Sequence, residues 1–254
     1  MVEDKRNMIY EGSRIKTVWF DLDDTLIDFR TNSRAALRIV YDSVEPIRRL
    51  FADAEAWTER YEFHNHRLWD LYSRAEIDRP TLRMERFRLP LAEAGMTDAE
   101  ARRLSEFLDT YYLDRLAEQK NLIPGTLELI EAIRTLWPEI RIGVLSNGFA
   151  DVQYRKIRNA GLEEKIDVTV LSDDIDVNKP DRRLFEHAAR MAGSEEPDSN
   201  LLIGDNPTTD IAGALGAGWH AIWFDRTGVA PTPASPRCAR ATTLPAILPL
   251  LTPR

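Results

Sequence analysis

The sequence predicts an α/β protein in which a mainly parallel sheet, flanked by helices, is interrupted by an all-helical insert. Three observations carry that prediction. Five short, continuously apolar runs alternate with segments of helical period, one long stretch is almost empty of glycine, and polar residues follow four of the runs.

The runs are IKTVWF (15–20), IRIGVLS (140–146), IDVTVLS (166–172), NLLIGD (200–205) and WHAIWF (219–224). Apolar continuity of this kind belongs to strands buried on both faces, hence to a parallel sheet covered by helices on either side. Of the 12 glycines only Gly95 lies between Asp28 and Glu118. Inside that segment 34–44, 54–77, 81–94 and 98–118 place apolar residues near i, i+3, i+4 and i+7, the period of an amphipathic helix. Pro46, Pro80, Pro90 and the stretch from Gly95 to Asp98 mark its breaks, the last offering an N-cap. The insert is therefore assigned to 28–118, and the sheet-bearing domain to 1–27 and 119–254. After Asp225 come six of the 14 prolines, which predict an irregular wrap ending in a short helix around Leu244 to Leu251. No internal repeat of fixed period is present.

Composition narrows the function. The 254 residues carry 34 Lys+Arg against 42 Asp+Glu, and a net charge of -8 argues against an electrostatic nucleic-acid partner. A hydrophobic content of 43% with 30% charged residues is that of a globular protein. The single Cys238 has no partner for an internal disulfide, so a reducing compartment, the cytoplasm, is expected. The first 14 residues lack the apolar core of a signal peptide. The longest uncharged stretches, 211–224 and 241–253, fall short of the roughly 18 residues that span a bilayer, so no membrane partner is expected.

The polar residues after the runs share one topological place. Asp21-Leu22-Asp23-Asp24-Thr25 follows the first strand, Ser146-Asn147-Gly148 the second, Lys179-Pro180 the third at a distance of eight residues from Leu171, and Gly204-Asp205 the fourth. In open α/β sheets ligands bind outside the carboxyl ends of the strands. Asp21 and Asp23 can converge on one centre, one through its side chain and the other through its backbone carbonyl. Together with Asp205 they make a hard oxygen site, suited to Mg²⁺ rather than to a soft metal. A lysine, a serine hydroxyl and neighbouring amides then offer donors to a tetrahedral oxyanion, most naturally a phosphate. The expected chemistry is phosphoryl transfer.

In this order DLDDTL, LSNG, KP and GDNPTTD resemble the four motifs of the haloacid dehalogenase-like hydrolases, over nearly the whole chain. The stretches from Ser146 to Gly193 and from His66 to Ile77 are similar to the branch containing pyrimidine 5'-nucleotidases that act on deoxyuridine or thymidine monophosphate. The resemblance implies a Rossmann-like parallel core of strand order 5-4-1-2-3 with a helical cap inserted after the first strand. It implies that Asp21 is the nucleophile that forms an aspartyl phosphate, and that Asp23 is the general acid and then the general base. Ser146, Asn147 and Gly148 would hold phosphoryl oxygens, and Lys179 would balance charge on Asp21 and the phosphoryl group. Asp205 would bind Mg²⁺ together with Asp21 and Asp23. Asp210 would act through metal-bound water or by fixing Lys179, with Asn206 as a helper. Dehalogenases of the fold resemble it without the second acid of the first motif, so Asp23 points to phosphoryl rather than carbon-halogen chemistry. The expected substrate is a small phosphorylated metabolite, a pyrimidine nucleoside 5'-monophosphate, with a sugar phosphate or acylneuraminate phosphate as the alternative. A non-catalytic binding or regulatory protein is the alternative of another class.

Other residues invite simpler readings. Trp69 and Tyr72, three apart on one helix face, could stack on a pyrimidine or form helix core. Phe29 and Phe149 stand just beyond two of the loops and could shape a leaving-group pocket or simply pack. His64 and His66 do not share a helix face and read as packing or surface residues rather than ligands. Gly213, Gly216 and Gly218 lack dinucleotide-binding spacing and precede a strand.

Overall fold

A computed structural model describes residues 15–228 and 234–251, so the N-terminal segment read for export signals and part of the proline-rich tail lie outside the described residues. The chain divides into two compact units, Met1–Asp28 with Asn121–Arg254, and Phe29–Lys120.

The first unit is built on six parallel strands, β1 (Thr17–Phe20), β2 (Arg141–Ser146), β3 (Val168–Leu171), β4 (Asn200–Gly204), β5 (His220–Phe224) and β6 (Cys238–Ala241), in the order β3-β2-β1-β4-β5-β6. The five-strand order implied by the family resemblance is present, and β6 extends it beyond β5. That strand corrects the expectation that the tail is irregular up to its short final helix. Three of its four residues, Cys238, Ala239 and Ala241, are buried beside β5, while Arg240 covers the Trp223 ring at 5.5 Å and pairs with Asp225 at 2.6 Å. The helices of this unit are α6 (Thr126–Leu136), α7 (Ala150–Asn159), α8 (Arg182–Ala192), α9 (Ala212–Gly216) and α10 (Leu248–Leu251), the last being the expected terminal helix, preceded by a 3₁₀ turn at Leu244–Ala246.

Successive strand residues feed two cores, as the period of two requires. Val18, Phe20, Ile142, Val144, Leu201 and Ile203 face one side, with Ile130 and Ile133 of α6 and Leu251 of α10. Trp19, Leu145, Val170 and Leu202 face the other, with Leu184 and Phe185 of α8. Trp19 stacks on Trp219 at 5.7 Å and donates its indole N–H to Asn200 Oδ1 at 3.0 Å. Gly143 on the neighbouring strand makes room, since a Cβ there would stand 2.4 Å from the Trp19 ring. Truncating a fully buried indole of this kind costs about 3–5 kcal/mol.

The second unit is all helical: α1 (Phe29–Ser43), α2 (Glu45–Leu50), α3 (Ala54–Ser73), α4 (Arg79–Glu93) and α5 (Asp98–Ala117). Asp53, Asp78 and Thr97 cap α3, α4 and α5 by accepting backbone N–H groups, and Thr97 forms a capping box with Glu100. Pro46 and Pro80 stand in the first turns of α2 and α4, where their missing N–H is no loss. Pro90 is a correction, because it lies inside α4 rather than breaking it. So near the end it removes one internal hydrogen bond, and the helix runs on to Glu93 before Gly95, at φ +97°, turns the chain. The centre is aromatic, with the Tyr61, Phe87 and Tyr112 rings 5.0 to 5.7 Å apart. Arg86 is buried over Phe87 and Tyr112 and is charge-paired with Asp109 at 2.5 Å, which keeps that burial tolerable.

Candidate active site

The parallel sheet brings the ends of β1, β2, β3 and β4 to one edge. Phe20 is in register with Val144 and Ile203, so Asp21 emerges one residue beyond, between the loops that begin at Ser146 and Gly204. The Asp21 N–H continues the ladder by donating to Ile203 O at 2.9 Å. This is where the strand order switches direction across β1, the usual place for a ligand in such sheets.

The loop from Asp21 to Asp28 coils once and bridges back. Leu26 and Ile27 both donate to Leu22 O, at 3.0 and 2.9 Å, and Asp24 adopts φ +59° to make the reversal. Leu22, Leu26 and Ile27 are buried anchors, which fix the acidic residues between them.

At the centre lies Lys179, following β3 on a cis Lys179-Pro180 peptide. Its ammonium donates to Asp21 Oδ1 at 2.6 Å, Asp210 Oδ1 at 2.7 Å and Leu145 O at 2.8 Å. All three N–H donors are thus used. Asn147 clamps the Lys179 backbone from both sides, its Oδ1 accepting from Lys179 N at 2.7 Å and its Nδ2 donating to Lys179 O at 3.1 Å. Burial disfavours the lysine charge, but Asp21 and Asp210 outweigh it and hold its pKa above the ordinary value.

Asp21, Asp205 and Asp210 offer carboxylate oxygens within 4.8 Å of one another, the one such group of potential metal ligands among the described residues. Burial, opposed by Lys179 and reinforced by Asp210, pushes the Asp21 carboxyl up to about 7. Burial and the neighbouring Asp21, Asp210 and Asp24 push Asp205 up as well. Three acids around one ammonium leave negative charge uncompensated, and an all-oxygen donor set of this kind fits a hard divalent cation.

Asp210 reaches the cluster from a short π-helical turn, Pro207–Ile211, whose start Asn206 caps by accepting from Thr208 N and Thr209 N. The Asn206 backbone N–H in turn donates to Asp210 Oδ2 at 3.0 Å. Gly204 leaves space for that carboxylate, because a Cβ there would lie 2.4 Å from Asp210 Oδ2. Asp205 is steadied through its backbone oxygen, which accepts from Trp223 Nε1 at 2.9 Å.

Asp23 points elsewhere. Its carboxylate binds Lys156 Nζ through Oδ1 and Gln153 Nε2, at 3.0 Å, through Oδ2. Ser146 Oγ accepts from Gln153 Nε2 at 2.8 Å and from Gly148 N at 3.1 Å, leaving its own O–H available to donate. Phe149 is buried at the start of α7.

The family model of the haloacid dehalogenase-like hydrolases matches residues 15–218. The chain belongs to that family. Among relatives, this hydrolase is 29% identical over 227 residues to the pyrimidine 5'-nucleotidase YjjG of Escherichia coli, covering 85% of this chain and 91% of that one. It is 31% identical over 230 residues to the phosphoserine phosphatase of Thermus thermophilus, covering 84% and 89%. A solved structure of the HAD-hydrolase YfnB from Bacillus subtilis, bound to magnesium, has the same fold, with a TM-score of 0.78 at 24% identity over 94% of this chain and 100% of that one.

In this hydrolase, then, Asp21, Lys179, Asp205 and Asp210 come together, and Ser146 and Asp23 meet through Gln153. Trp69 and Tyr72 belong to the inserted unit, half-buried at the end of α3 and edge-to-face at 5.6 Å. His64 is buried in α3 with Nε2 3.0 Å from Glu93, and His66 is exposed. Sequence reasoning missed Gln153, Lys156 and Trp223. The first two were signalled by α7 itself, since Val152, Gln153, Lys156 and Ile157 form its buried stripe and half of that stripe is polar.

Proposed function

We propose that this hydrolase is a Mg²⁺-dependent phosphatase that cleaves small phosphomonoesters through a phosphoenzyme on Asp21, with a pyrimidine nucleoside 5'-monophosphate as substrate. The observation that carries the reading is the Lys179 ammonium seated between Asp21 and Asp210 beside Asp205. It keeps one oxygen of Asp21 engaged and leaves the other to attack phosphorus in line, so an acyl-phosphate bond forms as the bond to the leaving oxygen breaks. Asp23 supplies the proton to that oxygen. It then takes a proton from the water that attacks the aspartyl phosphate, and both residues return to their starting states. Ser146 O–H and the backbone N–H of Asn147 hold phosphoryl oxygens, with the Gly148 N–H steadying Ser146 Oγ at 3.1 Å, while Lys179 offsets charge as it builds on them. Asp21 and Asp205 side chains, the Asp23 carbonyl and Asp210 are the groups proposed to hold Mg²⁺ directly or through water. The cation supplies charge neutralisation to the transferring phosphoryl group.

The presence of Asp23 favours phosphoryl over carbon-halogen chemistry, because only an alkoxide leaving group needs a proton. Similarity to the E. coli nucleotidase supports the pyrimidine nucleotide, and Trp69 and Tyr72 are proposed as base-contacting residues. Similarity to the T. thermophilus enzyme favours a second reading, phosphoserine. Phosphate release across pyrimidine and purine 5'-monophosphates, sugar phosphates and phosphoserine separates them. Fastest turnover of deoxyuridine and thymidine monophosphates supports the nucleotidase reading, and fastest turnover of phosphoserine or a sugar phosphate overturns it while leaving the phosphatase reading in place.

A further inference from the structure

A lysine and a glutamine buried on the inner face of α7 have no part in the steps above. Gln153 is 1% exposed and Lys156 3%. An ammonium in that position costs several kcal/mol unless it is paired, so its presence calls for a reason beyond packing.

The hydrogen-bond pattern supplies one. Lys156 Nζ donates to Asp23 Oδ1 and to Gln153 Oε1, the latter at 2.8 Å. Gln153 Nε2 donates to Asp23 Oδ2 at 3.0 Å and to Ser146 Oγ at 2.8 Å. The two acceptors and the ammonium fix the orientation of the Gln153 amide, whose NH₂ faces Asp23 and Ser146 and whose oxygen faces Lys156. Both oxygens of Asp23 are therefore gripped from one side by two residues one helical turn apart. Gly148 completes the fit, because a Cβ there would lie 2.0 Å from Gln153 Nε2.

We propose that Lys156 and Gln153 are positioning residues for proton transfer. They hold the Asp23 carboxyl away from the Asp21, Asp205 and Asp210 cluster and lock it to Ser146. The inference rests on the phosphatase reading above. An acidic side chain two residues from Asp21 and free to rotate could swing toward a cation at the cluster and be lost as a proton donor. The bridge prevents this, and it ties the hydroxyl that holds the phosphoryl group to the acid that serves the leaving oxygen.

The test uses leaving groups. The parameter kcat/KM reports steps up to the first irreversible one, here the breaking of the ester bond, in which the electron pair goes to the leaving oxygen. An alkyl phosphate needs a proton on that oxygen from Asp23, whereas the nitrophenolate of nitrophenyl phosphate departs without one. Lys156→Met is expected to lower kcat/KM for the alkyl phosphate by roughly 10- to 100-fold, within the range of general-acid effects, and for the nitrophenyl phosphate by less than about 3-fold. Retained aryl-phosphate turnover reports that the variant is folded. Lys156→Arg, which keeps the charge, is expected to restore much of the alkyl-phosphate rate. Gln153→Met, which removes one arm of the bridge without removing a charge, should skew the two substrates in the same direction to a smaller extent. Equal losses on both substrates in folded Lys156→Met and Gln153→Met, or no loss on either, would overturn the inference alone. If the wild-type protein hydrolyses neither substrate with Mg²⁺, the phosphatase reading fails and this inference falls with it.

Discussion

Removing the Lys179 ammonium would leave the Asp21 and Asp210 carboxylates facing each other in a buried site. Breaking a buried ion pair from one side costs about 3–5 kcal/mol, so Lys179→Met should unfold at markedly lower denaturant concentration than the wild type when no divalent cation is present. An unchanged midpoint would mean that the ammonium does not hold the cluster together. The acids themselves give a pH signature. The folded Asp21 pKa of about 7 lies above the ordinary 3.8. Between these values the folded protein keeps a proton that the unfolded chain releases, so this residue's contribution to stability falls as pH rises from about 4 to about 7. Cation binding needs the deprotonated carboxylate, hence the stability that Mg²⁺ adds should grow as pH rises through about 7. Thermal unfolding with and without Mg²⁺ is expected to show a larger upward shift at pH 8 than at pH 5. Equal shifts at the two pH values would contradict the assignment of these acids to the cation. Cys238 needs no role of this kind, since burial pushes its thiol up to about 11 and leaves little thiolate at neutral pH.

The groups proposed as catalytic are held by turns and strand ends that have little slack. Gly204 ends β4 where Asp210 returns under it, so Gly204→Ala would drive a methyl group into the carboxylate at 2.4 Å. Glycine is required there by close approach rather than by a positive φ, and the variant should lose most of its phosphate release while the far-ultraviolet spectrum stays that of a folded protein. Full activity in Gly204→Ala would show that Asp210 can move without consequence. The same elements explain what could be read before the structure was seen. Strands β1 to β5 were legible because burial on both faces writes an uninterrupted apolar run, and the acids were legible because they follow those runs. β6 was not, because CARA is short, carries a charge and sits among prolines. Its role is visible only in space, where Arg240 supports Trp223 and the Trp223 indole donates to the Asp205 carbonyl. Pro90 misled because its position within α4, one turn from the end, decides its effect more than its identity does. On α7 neither Gln153 nor Lys156 stood out in the sequence, because what they turn inward to meet, Asp23 in the loop from Asp21 to Asp28, is visible only in space.

At the scale of the whole chain, the helical insert interrupts the sheet-bearing unit at one point. Asp28 N donates to Asn121 O at 3.0 Å, so the two chain segments leading into and out of the insert lie side by side. An insertion with adjoining ends is tolerated by a folded unit at little entropic cost. It also separates two questions. The cluster around Lys179 is the proposed seat of phosphoryl transfer, and its residue types were readable from four short motifs. Substrate choice was not readable in the same way, because relatives of similar identity act on different compounds, a pyrimidine nucleotide in one and phosphoserine in another. No helix among the described residues is long and apolar enough to cross a membrane. The central claim is that Asp21 accepts the phosphoryl group, and the most direct measurement is Mg²⁺-dependent phosphate release by the wild-type protein and Asp21→Asn side by side on the same panel of phosphomonoesters. Turnover by the wild type and a fall of roughly 10³-fold or more in a folded Asp21→Asn are expected. Near-normal turnover by that variant, or none by a folded wild type that binds Mg²⁺, would contradict the claim.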